Sequence, residues 1–181
     1  MKQMKKVLLS SIAACAIATS ANAGVYVGQT SMTINDSDAE TGTTIGLTTK
    51  SGTGEAGSLY TGFDLAYTMM GLDEYEGDST LNVIDIGFRI GMNVTSQFSV
   101  YGLVSAAFQD TTTDAGNDAG LSDSYGVGYG LGGQFDITKS FAVRGEYKSY
   151  SVEADYDDGQ YSGTAWEYDM DMTTLSLVLT F

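Results

Sequence analysis

The side chains with the most chemical potential in this sequence are its acids and serines, and both lack the partners that chemistry would need. A serine nucleophile needs a base, usually His, to take its proton, and the 181 residues contain no His. Lys148 could stand in as the base, but Glu146 lies two positions away on the same face of a strand, so an ion pair explains it better. The acids gather in groups: Asp36, Asp38 and Glu40; Asp73, Glu74, Glu76 and Asp78; Asp110, Asp114, Asp118 and Asp123; Glu153, Asp155, Asp157 and Asp158. Such carboxylates could hold calcium or magnesium through oxygen. None has EF-hand spacing, because Asp155-Tyr156-Asp157-Asp158-Gly159 lacks the later bidentate Glu. They read instead as solvated acidic loops that repel their neighbours. Gly126-Val127-Gly128-Tyr129-Gly130 hints at a phosphate loop but has neither the Lys-Ser/Thr nor the helix that such a loop requires. Glycine at every second position belongs to a strand, where it makes room on one face. No catalytic residue, metal site or cofactor is expected.

The first residues read as an export signal. Lys2, Lys5 and Lys6 form a basic start, Val7 to Ala18 an apolar core, and Ala21-Asn22-Ala23 a small-residue cleavage site. Residues 1–23 are therefore expected to be a cleavable signal peptide, with the mature domain over 24–181. The apolar stretch is short of the roughly 20 residues that a membrane-crossing helix needs. Ile12-Ala13-Ala14-Cys15 loosely resembles a lipoprotein processing box, but the apolar core before it is unusually short. Cys15 is the only cysteine, so cleavage after Ala23 would leave no disulfide, thiolate ligand or thiol nucleophile. Beyond Ala23 the chain keeps five of its eight basic residues against 23 acidic ones, a formal charge of −18. Nucleic acid is an improbable partner for that charge.

With 23 Gly, 12 Tyr and no Pro, the chain reads as one β-rich domain. Alternation, not continuous hydrophobicity, runs through it. Leu175, Leu177, Leu179 and Phe181 alternate with small or polar residues, as do Phe141, Val143, Gly145 and Tyr147 with Ala142, Arg144, Glu146 and Lys148. Further rows are Tyr125 to Phe135, Ile84 to Met92, Phe98 to Phe108 and Leu59 to Met69, and Val25 to Met32 and Thr43 to Thr49 bring the strands to eight. The connections expected at residues 35–42, 71–79, 110–122 and 154–163 are long and acidic, those at 94–96 and 136–140 are short, and the link at 50–57 is intermediate. Long loops at one end and short turns at the other are the arrangement of an outer-membrane barrel.

Phe98, Phe135, Phe141 and Phe181 fall beside a short turn or the terminus, and Phe108 and Tyr125 stand ten positions away on the same rows. At about 3.3 Å per residue and a tilt of about 40°, that spacing spans roughly 25 Å, the height of the apolar belt of such barrels, so these aromatics read as two girdles. A soluble lipocalin-like barrel would turn its apolar rows inward and its charges out. Here the opposite row carries Asp64, Asp85, Arg89, Arg144, Glu146 and Lys148. Three acids and three bases are nearly balanced in a strongly acidic chain, as an ion-paired network inside a narrow barrel would require.

The final strand, Leu175, Leu177, Leu179 and the terminal Phe181, resembles the sorting signal that the barrel assembly machinery of Gram-negative bacteria reads. The Gly-Val-Tyr-Val-Gly start at Gly24, the Gly126 to Phe135 strand and Arg144-Gly145-Glu146-Tyr147 add a resemblance, over all of 24–181, to the OmpA/OmpX-like family of small outer-membrane barrels. That resemblance implies an all-β, eight-stranded, antiparallel, up-and-down transmembrane barrel with a polar, largely plugged interior. It implies outer-membrane lipid and lipopolysaccharide around the barrel, and no single activity. The periplasmic peptidoglycan-binding domain of some relatives is not expected, since Phe181 stands where it would begin. Two functions remain in view: a structural or surface-interaction barrel that meets an extracellular ligand through its acidic loops, and a narrow porin-like channel past the Gly126 to Gly132 row.

Overall fold

A computed structural model describes residues 22–35, 39–72, 79–113, 122–157 and 162–181. Eight strands follow one another: β1 (Asn22–Ile34), β2 (Glu40–Ser51), β3 (Leu59–Leu72), β4 (Ser79–Asn93), β5 (Phe98–Thr113), β6 (Ser122–Asp136), β7 (Phe141–Asp157) and β8 (Ser162–Thr180). Each pairs antiparallel with its sequence neighbours, and β8 pairs back onto β1, so the sheet closes in strand order. Closure leaves no edge strand with free backbone donors, which hydrocarbon would not tolerate. No helix among the described residues is long and apolar enough to cross a membrane. Apart from Asn22 and Ala23, the segment read as a signal lies outside the described residues.

The pairing register fixes the shape. From Gly24 the partners run Thr48, Asp64, Gly87, Ser105, Gly128, Tyr150 and Met170, and return to β1 at Ile34, ten residues further along. A stagger of that size over eight strands tilts them by roughly 40° and leaves an interior that side chains can fill.

Period-two alternation puts the apolar rows outside, opposite to a soluble barrel. Val127, Tyr129, Leu131, Leu175, Leu177 and Leu179 are all exposed, while Asp64, Asp85, Arg89 and Arg144 are buried. The strands run further than their apolar rows. The connections expected to be long loops are shorter, because residues 40–42, 71–72, 110–113, 154–157 and 162–163 belong to strands. Polar residues with good strand propensity, such as Thr111, Thr112 and Thr113 opposite β4, can pair in water as well as in lipid, so the end of the apolar row does not end the ladder. Glu40, Asp110, Asp123, Glu153, Asp155 and Asp157 thus sit on strands and not in loops. Asp36, Asp38, Asp73, Glu74, Glu76, Asp78, Asp114, Asp118 and Asp158 lie outside the described residues.

At the opposite end, β5 begins at Phe98 after a turn in which Thr95 Oγ1 accepts the N–H of Phe98 at 2.9 Å. The turn from β6 to β7 is Ile137–Ser140, closed by the Ile137 N–H donating to the Phe141 carbonyl at 2.9 Å. The β2–β3 link, 52–58, is as long as the connections at the far end, and Gly54 and Gly57 take φ of 73° and 79° that a side chain would resist.

Candidate functional site: the barrel interior

The inward positions form three layers. Four tyrosines lie each across from a glycine on a neighbouring strand, three toward the short turns, Tyr26 and Gly46, Tyr60 and Gly91, Tyr101 and Gly132, and one higher up, Tyr150 and Gly128. A Cβ built on Gly132 would stand 2.5 Å from the Tyr101 ring, and one on Gly128 2.5 Å from that of Tyr150. The glycines make room, and the rings take it. The gap that a pore past Gly126 to Gly132 would use is therefore filled at Gly128 and Gly132.

All six charged residues singled out from the sequence face inward here, and the structure brings them together in two groups. Arg144 Nη1 lies 2.9 Å from Asp64 Oδ1, and its Nη2 lies 3.5 Å from Glu146 Oε2. Arg89 Nε reaches the other oxygen of Asp64 at 3.4 Å and donates from Nη2 to the Thr49 carbonyl at 2.8 Å and to the Thr48 hydroxyl. Tyr101 donates its hydroxyl to Glu146 at 2.8 Å. Arg144 also stacks over the Tyr26 ring, 3.9 Å from its centroid, and Arg89 over Tyr101 at 5.2 Å. Higher up, Lys148 Nζ meets Asp85 at 2.8 Å, and the Tyr150 hydroxyl donates to the same carboxylate. Carboxylates beside all three cations, and aromatic faces under the two arginines, stand in for water that these buried groups have lost.

Beside the Lys148–Asp85 pair runs a ladder of hydroxyls. Thr30 bonds Thr174 at 2.8 Å and Thr44 at 2.5 Å, and Thr44 bonds Thr68 at 2.7 Å, which links β8, β1, β2 and β3. Above this polar layer the interior turns apolar: Met32, Met70, Leu81, Val83, Ala107, Val152, Met170 and Met172 pack with Tyr150. Neither the ladder nor the methionine cap was anticipated from the sequence. Both were legible in parity, since Thr30, Thr44, Met170 and Met172 all fall on inward positions of their strands.

Of the aromatics assigned to girdles, Phe98 pairs with Phe135 and Phe108 with Tyr125, and these four are exposed. Phe141 pairs with Leu179 and is half-buried. Tyr125 donates its hydroxyl to Glu153 on β7. Leu175, Leu177, Leu179 and Phe181 point outward, and the Phe181 N–H donates to the Ala23 carbonyl at 2.9 Å. At the short-turn end, a cavity of about 550 Å³ opens among Thr48, Lys50, Arg89, Gln134, Asp136 and Lys139. Its lining includes Arg89 but none of Asp64, Asp85, Arg144, Glu146 or Lys148. No group of three metal-ligating side chains occurs among the described residues.

Comparison with solved structures returns small outer-membrane barrels. Neisserial surface protein A superposes with a TM-score of 0.60 at 13% identity, over 88% of this chain and 96% of that one. Ail, the attachment invasion locus protein of Yersinia pestis in complex with the heparin analogue sucrose octasulfate, gives 0.57 at 15% identity, over 90% and 100%. The outer membrane enzyme PagL gives 0.50 at 13%, over 88% and 99%. At those identities the likeness is one of fold. Comparison with curated protein sequences returned no match. A family model does match almost the whole chain, residues 7–181, and with the closed eight-stranded fold it settles the point: the protein belongs to the outer membrane protein beta-barrel domain family, whose members sit in the bacterial outer membrane.

Proposed function

We propose that this protein is a structural or surface-interacting barrel, braced by its interior and acting through its exterior. The observation that carries this reading is the pairing inside: each of the three lumen bases has a carboxylate within 3.5 Å, and the cavity at the short-turn end stops at Arg89. A permeation path would have to part those pairs and then the methionine cap. The cavity does give the narrow-channel reading a vestibule, and that reading stands second. Catalysis has no place in either. PagL shares the fold and is an enzyme, but this chain has no His, and its lumen carboxylates are engaged by cations.

The surface partner would be cationic, or bridged by divalent ions, because the chain carries a formal charge of −15. A sulfated sugar of the kind in the Ail complex would be repelled. In this account the export signal is removed after Ala23, and the last strand delivers the chain to the assembly machinery. Its neighbours in the membrane are lipid and lipopolysaccharide, and neither cofactor nor metal is needed.

The test compares bacterial attachment to cationic and anionic surfaces for three proteins: wild type, a variant with residues 154–163 replaced by a short neutral turn, and the pair Arg144→Ala with Lys148→Ala. Loss of attachment with the neutral turn, and none with the lumen pair in correctly inserted barrels, is the expected result. Attachment or permeability that follows the lumen pair and ignores the neutral turn would overturn the reading.

A further inference from the structure

The outer wall of this barrel has a step in it. A row of paired residues climbs ten positions in one circuit. Corrected for that climb, Asp171 stands level with Phe108, Thr173 with Ala106, Ser31 with Val127, and Ser149 with Ile84. On β3–β6 the outward row at this height is apolar, with Met69, Phe108, Val127 and Tyr125 exposed. On β7–β8–β1–β2 the outward residues at the same height are Ser149, Ser151, Thr173, Asp171, Ser31 and Thr43. The last outward apolar residues there are Tyr147, Leu175, Val27 and Ile45. On β1 the apolar row ends about 12 Å below the level of Phe108, taking about 3.3 Å per residue and a tilt of about 40°.

The inside changes with the outside. Behind Ser31, Asp171 and Asp169 the inward side chains are Met32, Met170 and Met172, at 1%, 0% and 5% exposure. Polar outside and apolar inside is the polarity of a wall that faces water; apolar outside and polar inside is that of one that faces lipid. β1, β7 and β8 change from the second to the first as they rise, whereas on β5 and β6 the outward rows stay apolar up to Phe108 and Tyr125, with Gln109 and Ser124 buried inside. A carboxylate such as Asp171 at acyl-chain depth would be costly, and no basic residue lies on this outward face among the described residues to pair with it.

We propose that the polar surface of the membrane follows this step: against the upper half of β7–β8–β1–β2 the barrel meets headgroups and water, not acyl chains. Barrel tilt and local thinning of the outer leaflet are the two ways a bilayer accommodates unequal walls, and both bring the same chemistry to this face.

The experiment places single spin labels at Thr173, Ser31 and Ser149, and at the level-matched Ala106, Val127 and Ile84, in full-length mature protein refolded into dimyristoyl phosphatidylcholine vesicles. All six positions point away from the core, and heat-modified migration on gels verifies that each variant is folded. The expected result is several-fold higher accessibility to a water-soluble nickel chelate at the first three than at the second three, with accessibility to oxygen in the reverse order. Oxygen-accessible labels on both sides would mean that acyl chains cover the step, which overturns the proposal. Labels at Thr173, Ser31 and Ser149 that are shielded from both reagents, and freed on dilution into excess lipid, would mean that a second copy covers this face, which also overturns it.

Discussion

At the scale of single residues, Arg144 has no exposed surface and is held between Asp64 and Glu146 with its guanidinium on the Tyr26 ring. Arg144→Ala would leave Asp64 with Arg89 alone and Glu146 with the Tyr101 hydroxyl but no arginine, and removal of one partner of a buried pair costs about 3–5 kcal/mol. Reversible urea unfolding of the refolded protein in vesicles reads that loss. With Asp64→Ala also present, the combined loss should fall well short of the two single losses added, because the residues share one network. Tyr101→Phe is a smaller probe: it deletes the donor to Glu146 and should cost about 1–3 kcal/mol, the range for a buried acceptor left without its partner. The six charged residues could be found in the sequence because each breaks an apolar alternation on the polar side. Their pairing could not: Arg144 lies far from Asp64 along the chain, and only the register of closure sets which acid meets which base.

At the scale of strands, alternation settles which residues face out, and it held along every apolar row, from Val25 and Val27 on β1 to Leu175, Leu177 and Leu179 on β8. Strand ends were the unreadable part. Polar residues with good strand propensity look like loop in a hydropathy pattern yet continue the ladder, as Thr111, Thr112 and Thr113 do opposite β4. Two substitutions test the faces separately. Leu131→Arg puts a charge on an outward position that is 65% exposed, near mid-belt, and should cost about 2–4 kcal/mol of stability in vesicles. Gly132→Val puts a side chain where the Tyr101 ring lies 2.5 Å from the Cβ position. It should cost about 1–3 kcal/mol from overpacking, and much less when measured in a Tyr101→Ala background, where the space is open.

At the scale of the whole molecule, the balance of charge explains why so acidic a chain can close around a polar interior. Among the described residues the buried charges are three acids and three bases, and the excess of negative charge lies elsewhere. If the export signal is removed after Ala23, mass spectrometry of the protein from outer-membrane fractions should find Gly24 at the N-terminus; a mass that retains residues 1–23 would remove the export reading. The proposed structural role depends most on the interior being closed. Single-channel recording of the refolded mature barrel in a planar bilayer tests this directly, with wild type beside Arg144→Ala and Lys148→Ala. A correctly inserted wild type that stays silent across the voltage range is the predicted result. Discrete wild-type openings whose conductance shifts with those two substitutions would contradict it and make the charged layer the lining of a channel.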